Sequence, residues 1–282
     1  MTRRRYSCCF HSIARQVGIA LLTLSAIVVA GGSQAGTLED VKKKGVVVIG
    51  IQGDNAPWGF VDSSGKQEGI DADMGRAFAE FLGVRAEFAP LAVANRIPAL
   101  TTGRVDILFA TMAMLPERAK AVQYSKPYVA NEITLVAAQA TPINSNADMG
   151  KYVIGVPRSS TQDTQVTNNA PSGTEIRRFD DDAATIQALL SGQVQAVGAN
   201  LFYPQRLNAA KPEFGFEPKL HFSALYNGAC TRLGDKEWNE TVNKFIDQIK
   251  SNGKLAAFYA KWMKVPVPVF PDTVPGVPFA VQ

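Results

Sequence analysis

The sequence predicts an α/β fold of two doubly wound lobes, joined by two crossing strands, with a ligand cleft between the lobes. Short apolar runs rich in β-branched residues alternate with segments of helical periodicity, which is typical of parallel sheets covered by helices. This alternation occurs twice along the chain. One segment also repeats: residues 100–110 and 189–199 share the form Leu-x-small-Gly-x-Val, followed by Ala five residues on. Two lobes of similar topology explain the repeat; a chance echo of a common helix–Gly–strand unit is the alternative.

The first lobe begins with an all-apolar run of six residues, 46–51, which is typical of a buried parallel strand. The predicted order is a strand at 46–51, a helix at 71–81, a strand at 84–88, a helix at 96–102 and a strand at 105–110. Glycines close both helices, at Gly83 and Gly103, where a left-handed conformation ends a helix.

The second lobe repeats this order. It predicts a strand at 152–156, a helix at 159–166, a strand at 175–179, a helix at 182–190 and a strand at 194–198. Two further helices, 236–250 and 255–263, precede a proline-rich tail, which cannot be helical and is expected to wrap one lobe in extended form. The predicted boundaries are 36–131 plus 227–282 for the first lobe and 132–226 for the second.

Residues 1–35 are predicted to be a secretory signal peptide. Four arginines precede an apolar run, and small residues follow it at Gly31-Gly32-Ser33-Gln34-Ala35. An uncleaved membrane anchor is the alternative, although the run is shorter than the ~20 residues a span needs. Without this segment the chain carries 29 − 4 = 25 basic and 25 acidic groups, so a nucleic-acid partner is not expected. We expect a periplasmic monomer.

The sequence offers few of the residues that catalysis or metal binding needs. Beyond residue 35 the chain has one histidine, His221, expected outside the cleft, and one cysteine, Cys230, expected to fill core space. A zinc cluster or a Ser-His or Cys-His pair therefore lacks its residues. No phosphate-loop or dinucleotide motif occurs. We expect no cofactor, no metal and no enzymatic activity.

Ligands of open α/β sheets bind beyond the carboxyl ends of the strands. Arg96 and Arg118 each start a helix just past a strand, and a guanidinium matches the two oxygens of a carboxylate. A surface arginine paired with an acidic neighbour is the alternative for Arg118. The other candidate ligand-binding residues at strand ends are Asp54, Asn55, Trp58, Thr111, Ala113, Ser160, Thr161 and Asn200. Plain helix capping by Ser160 and Thr161, and plain packing by Trp58, are the alternatives. The acidic run Asp180-Asp181-Asp182 is interpreted as helix-entry charges.

The ordered motifs resemble the periplasmic solute-binding proteins of polar amino-acid ABC importers, known as family 3, across essentially all of residues 36–264. The motifs are Pro57-Trp58-Gly59-Phe60, Gly69-Ile70-Asp71-Ala72-Asp73, Asn95-Arg96-Ile97-Pro98, Thr102-Gly103-Arg104-Val105-Asp106, Pro116-Glu117-Arg118, Ser125-Lys126-Pro127-Tyr128 and Gly192-Gln193-Val194. The resemblance implies a type II periplasmic-binding fold that closes over its ligand and docks on an inner-membrane permease.

The resemblance also implies roles for single residues. Arg118 and Thr111 match the positions that hold the ligand α-carboxylate, and Ser160 with Thr161 match the second lobe's contribution. In acidic-amino-acid members, the arginine at Arg96 reaches the distal carboxylate. Asn200 stands where many relatives have an aspartate for the ammonium, so a formal anion is missing there, and Asn200 with Asp54 is expected to serve instead.

The expected function is therefore capture of a small carboxylate, above all a polar or acidic amino acid. A dicarboxylate or keto acid without an ammonium is one alternative. An enzyme resembling cyclohexadienyl dehydratase is another, with Asp54 or Glu132 as the required general acid. A fused receptor sensor domain is a third, disfavoured because no spanning helix follows.

Overall fold

The computed structural model describes residues 37–281, so the predicted signal peptide lies outside the described residues. The helices are α1 Thr37–Lys44, α2 Ile70–Leu82, α3 Arg96–Thr101, α4 Pro116–Ala119, α5 Thr161–Asn169, α6 Asp182–Leu190, α7 Tyr203–Ala210, α8 Lys236–Ser251 and α9 Lys254–Trp262. The strands are β1 Val46–Ile51, β2 Asp54–Asn55, β3 Gly59–Val61, β4 Gln67–Glu68, β5 Arg85–Pro90, β6 Ile107–Leu108, β7 Gln123–Ala137, β8 Ile154–Pro157, β9 Ile176–Phe179, β10 Ala196–Asn200 and β11 Glu217–Thr231. None of the described helices is both long and apolar enough to cross a membrane.

Eight strands form one sheet in the order β5-β1-β6-β11-β7-β10-β8-β9. The first lobe contributes the parallel strands β5-β1-β6, and the second contributes the parallel strands β10-β8-β9. In chain order each set runs 2-1-3, so the two lobes share one topology. The two-lobed α/β prediction is confirmed.

The sequence repeat corresponds to equivalent backbone in both lobes. Gly103 and Gly192 follow the equivalent helices α3 and α6, and both take a left-handed φ, 74° and 77°. This region strongly favours glycine, because a side chain there would strain the backbone. The repeat is therefore a structural one.

Two strands of fifteen residues, β7 and β11, run antiparallel through the centre of the sheet. Towards one end β11 pairs with β6 of the first lobe, and towards the other β7 pairs with β10 of the second. They are the predicted crossing strands. The lobe boundaries near 131 and 226 fall within them and stay a prediction.

The third strand of the first lobe is shorter than the predicted 105–110. Only Ile107–Leu108 pairs as a strand, and just before it the pairing with Val48 is shared between the backbone N–H of Asp106, which donates to the Val48 carbonyl oxygen (2.8 Å), and the Asp106 side chain. Asp106 accepts a hydrogen bond from the Val48 backbone N–H through its carboxylate (2.8 Å), and its carbonyl accepts one from Trp238 Nε1 (3.0 Å).

Apolar clusters lie on both faces of the sheet in each lobe. The proline-rich tail joins one cluster of the first lobe: Val277 is buried there, and the carbonyl of Phe279 accepts from Asn243 Nδ2 (2.6 Å). The prediction that the tail covers one lobe is confirmed. Cys230 belongs to the same cluster, and burial raises the pKa of its thiol, which agrees with a core-filling role.

Candidate functional site

A polar cleft lies at the carboxyl ends of the strands of both lobes. Eight of the ten predicted ligand-binding residues line it. The lining residues are Gln52, Asn55, Val93, Arg96, Thr111, Ala113, Arg118, Asn131, Ile133, Ser160, Thr161, Gln162, Asp182 and Asn200. The rule that selects strand ends therefore located the cleft.

Arg96 is the most deeply buried cation of the cleft, with 4% of its surface exposed. Its Nη1 donates to the carbonyl oxygen of Ala110 (2.8 Å) and to Thr111 Oγ1 (3.3 Å). Its Nε and Nη2 are buried and have no hydrogen-bond partner. Each such donor costs about 1–3 kcal/mol until an acceptor reaches it. Burial lowers the pKa of Arg96 to about 10, so the side chain still carries its charge at neutral pH.

Thr111 is held in a strained conformation next to Arg96, with φ 48°. Its backbone N–H donates to Asp71 Oδ2 (2.9 Å), and the hydroxyl of Tyr128 donates to the other oxygen of that carboxylate (2.7 Å). Burial raises the pKa of Asp71 to about 6, against the opposing effects of Tyr128, Thr111 and Arg96. Asp71 thus positions the Thr111 hydroxyl, which also contacts Gln52 Oε1.

Arg118 is half-buried on α4, a single turn that Pro116 starts at a position where a helix needs no backbone donor. Its Nη2 donates to the carbonyl oxygen of Ser159, across the cleft in the second lobe (3.3 Å). Among residues 37–281, Arg118 forms no ion pair with a carboxylate. The alternative of a surface arginine paired with an acidic neighbour is therefore not what the structure has.

The start of α5 brings hydroxyl groups to the second wall of the cleft. Ser160 and Thr161 are buried, with 3% and 5% of their surfaces exposed. Ser160 is also the helix cap, because its Oγ accepts from the backbone N–H of Asp163 (3.0 Å). Ser160 thus caps the helix and also lines the cleft, and its role as a ligand donor stays a prediction.

Asn200 is held by neighbours in both lobes. Its Nδ2 donates to Asn55 Oδ1 (3.1 Å), and its Oδ1 accepts from the backbone N–H of Phe202 (3.1 Å). Arg206 Nη1 donates to the same Asn55 oxygen (3.1 Å), and its Nη2 donates to the carbonyl oxygen of Asp54 (2.9 Å). These contacts tie the loop after β1 to the second lobe.

Trp58 and Asp54 do not line the cleft. Trp58 is fully buried in a core cluster of the first lobe, edge-on to Phe202 with ring centroids 5.6 Å apart. Its large apolar surface gains more from packing than from a polar cleft. The Asp54 carboxylate instead accepts from the backbone N–H of Ala183, at the start of α6 (3.0 Å), where the helix dipole favours an anion.

Asp182 is a cleft residue absent from the predicted ligand-binding set, although the strand-end rule selects 180–182; from sequence alone, the run is interpreted as helix-entry charges in preference to paired acids. Asp181 is indeed a helix-entry charge, since its Oδ1 accepts from the backbone N–H of Ala184 (2.7 Å). Asp182, however, is only 1% exposed and lines the cleft. It accepts from Gln52 Nε2 (2.8 Å) and from the Tyr203 hydroxyl (2.5 Å). Its place at a strand end was a usable signal, but a run of three aspartates does not show which one turns inwards.

The described residues contain no group of three or more His, Cys, Asp or Glu side chains arranged to hold a metal ion. His221 is 70% exposed and does not line the cleft; it lies 3.9 Å from Glu132, which is half exposed.

A model of the bacterial extracellular solute-binding proteins, family 3, matches residues 47–265. The L-cystine-binding protein TcyJ of Escherichia coli K12 is 24% identical over 251 residues, which cover 86% of this chain and 94% of TcyJ. The ABC transporter glutamine-binding protein GlnH of Bacillus subtilis is 28% identical over 238 residues, or 82% of this chain and 86% of GlnH. In structure, the chain is similar to the ancestral amino-acid-binding protein AncCDT-1, a precursor of cyclohexadienyl dehydratase. The TM-score is 0.73 with 30% identity, over 80% of this chain and 99% of the ancestral one.

Proposed function

The chain belongs to the bacterial extracellular solute-binding proteins of family 3, and on that premise we propose that it captures a polar or acidic amino acid for an ABC importer. One observation carries the proposal: a buried arginine, Arg96, keeps two donor atoms without partners at the cleft. A carboxylate oxygen is the acceptor that satisfies such donors best.

Arg118 and Thr111 bind one carboxylate of the ligand from the first lobe. Arg96 lies beside them and takes a second carboxylate or a polar side-chain oxygen. Ser160 and Thr161 add donors from the second lobe. In this arrangement the ligand contacts both lobes only when they are close together, so binding favours the closed form.

The direct contacts between the lobes support this mechanism. Arg118 with Ser159, Asp54 with Ala183, and Arg206 with Asn55 each join the two walls of the cleft by a hydrogen bond. Such contacts stabilise a closed form that the ligand then reinforces. The crossing strands β7 and β11 provide the hinge.

The cellular compartment is inferred from the family, whose members are extracellular or periplasmic. We propose export by the signal peptide at residues 1–35, work in the periplasm as a monomer, and delivery to an inner-membrane ABC permease. The loaded chain would dock on that permease.

A dehydratase-like enzyme is a weaker candidate, which the likeness to AncCDT-1 brings forward. Neither acid considered for that role, Asp54 or Glu132, lines the cleft. The acid that does line the cleft, Asp182, accepts hydrogen bonds from Tyr203 and Gln52 on its two oxygens. Binding without turnover is the activity we propose. Incubation with prephenate or arogenate, followed by product detection, tests this; steady turnover would overturn it.

The test of the binding function is isothermal titration calorimetry on the chain from residue 36, with the common amino acids and small dicarboxylates. We expect at least one amino acid to bind, and Arg118→Ala to abolish that binding without unfolding the protein. Arg85→Ala is the matched control, since Arg85 is exposed and does not line the cleft. Near-native affinity in Arg118→Ala, or no binding of any amino acid or dicarboxylate, would refute the proposal.

A further inference from the structure

Two opposite charges are buried in the cleft without pairing with each other. Arg96 is 4% exposed and Asp182 is 1% exposed, and both line the cleft. Among residues 37–281, neither forms an ion pair with any other residue. Buried charges are normally paired, because leaving water costs several kcal/mol per ion. Each group feels opposite charges only from beyond ion-pair distance, so no direct contact offsets its burial.

The contacts of Asp182 come only from neutral groups. Tyr203 donates to Oδ1 (2.5 Å), Gln52 donates to Oδ2 (2.8 Å), and Gln162 makes a long contact to Oδ1 (3.5 Å). These donors fix the carboxylate in position but bring no positive charge. Burial raises its pKa, and the charge of Asp54 adds to that effect, while Tyr203, Arg96 and Arg206 oppose it. A cation in the cleft would stabilise the ionised form.

The charges lie on opposite walls. Arg96 and Arg118 belong to the first lobe, and Asp182, at the start of α6, belongs to the second. These three are the only formally charged residues among those that line the cleft. A ligand between the walls thus meets two cations on one side and one anion on the other, which complements a zwitterion that turns its carboxylate to the first lobe and its ammonium to the second.

Asn200 is a poorer acceptor for an ammonium. Its Oδ1 already accepts from the Phe202 backbone N–H, and its Nδ2 is a donor pointed at Asn55. It is also neutral, and a hydrogen bond between two neutral groups is about half as strong as one assisted by charge.

We propose that Asp182 is the specificity-determining residue that accepts the ligand's ammonium group, so that the cleft selects an α-amino acid over the same acid without its amine. This inference rests on the proposed function and decides between its amino-acid form and the dicarboxylate alternative. The α-carboxylate of the ligand faces Arg118 and Thr111, its second carboxylate or polar side chain faces Arg96, and its ammonium faces the second lobe.

The experiment compares probe pairs that differ only in their ammonium groups: L-glutamate with glutarate, L-glutamine with glutaramate, L-arginine with 5-guanidinopentanoate, and L-cystine, which has two such groups, with 3,3′-dithiodipropionate. Each pair is titrated by calorimetry into the wild type, Asp182→Asn and Asp180→Asn. Asn keeps the shape of the side chain and can still accept from Tyr203. Asp180→Asn is the matched control, because it removes the same charge two residues away from a side chain that is 90% exposed.

We expect the wild type to bind an amino acid at least about thirtyfold more tightly than its amine-free partner. Asp182→Asn should lose most of that ratio by weakening the amino acid alone, while Asp180→Asn keeps it. Thermal unfolding without ligand should show Asp182→Asn as stable as the wild type or more so, since an uncompensated buried charge is removed.

Two results would overturn the inference while leaving carboxylate capture intact: equal wild-type affinities within every binding pair, or an Asp182→Asn variant that keeps the wild-type ratio. An equal loss for both members of a pair would also overturn it, because it would mean a structural role. Failure of every common amino acid and small dicarboxylate, these probes included, to bind the wild type would instead refute the proposed function.

Discussion

Replacing Arg96 by Met tests whether this arginine is kept for a ligand or for the fold. Met has a similar length and no donors. The change removes two unpartnered buried donor atoms, Nε and Nη2, at about 1–3 kcal/mol each, or roughly 2–6 kcal/mol together. It also removes the charge-assisted bonds of Nη1 to Ala110 and Thr111, at about 1.5–3 kcal/mol each, or roughly 3–6 kcal/mol. The two sums nearly cancel.

The middles of the two ranges, about 4 and about 4.5 kcal/mol, differ by less than about 1 kcal/mol, so the unfolding free energy without ligand should change by no more than about 2 kcal/mol. For a chain of this size, that is a shift in Tm of roughly 4–8 °C or less. Ligand affinity should fall far more, since losing one partner of a buried, charge-assisted contact costs about 2–5 kcal/mol, or thirtyfold and upwards.

Thermal unfolding without ligand measures the change in stability. Calorimetric titration of the amino acid that binds best measures the change in affinity. Arg104→Met is the matched control, because Arg104 is an exposed arginine just after the same helix. Unchanged affinity combined with a loss of stability well above 2 kcal/mol would refute the reasoning, since Arg96 would then serve the fold and not the ligand.

Three further predictions concern residues outside the cleft lining. Arg206→Ala removes the hydrogen bonds to Asp54 and Asn55 between the lobes, so calorimetry should show every ligand weakened by a similar factor; a loss confined to one ligand would contradict a role in closure. The pKa of Asp71 is about 6 in the folded state, against an ordinary value of 3.8, so the folded state holds this proton more tightly than the unfolded state does. The contribution of Asp71 to the unfolding free energy therefore falls as pH rises from about 4 to 6. Over that range, denaturant titrations should show the wild type losing up to about 3 kcal/mol relative to Asp71→Asn; parallel curves would exclude this linkage. Trp58→Phe leaves a gap in the core but also removes a buried Nε1 donor without a partner, so the unfolding free energy should change by less than about 3 kcal/mol. Ligand affinity should stay within about twofold, and a large loss of affinity would place Trp58 at the ligand after all.

Much of the fold is readable from the sequence because its signals are local. The apolar run of β1, the periodicity of α2 and the glycine after α3 each depend on a few neighbouring residues, and each prediction agrees with the structure to within a few residues. The third strand was overestimated for a reason that is not local, since the Asp106 carboxylate shares in the pairing with Val48.

The candidate site also contains some residues that local sequence signals reveal and others that they do not. Arg96, Arg118 and Thr111 were found because strand ends and helix starts place them, and both are visible in one sequence. Trp58 satisfied the same rule yet lies in the core, since Phe202, 144 positions further on, packs against it. Local position alone does not determine which way such a side chain turns.

By itself, the sequence determined the two-lobed α/β architecture, the crossing strands and the two arginines of the cleft, because periodicity, glycine placement and the strand-end rule act over short stretches of chain. Only the tertiary structure decided which polar groups face each other. It brought Asp182 against Gln52 and opposite Arg96, and it left the charges of Arg96 and Asp182 unpaired. Burial and pairing of charge are set by residues far apart in the chain, which meet only when the two lobes come together.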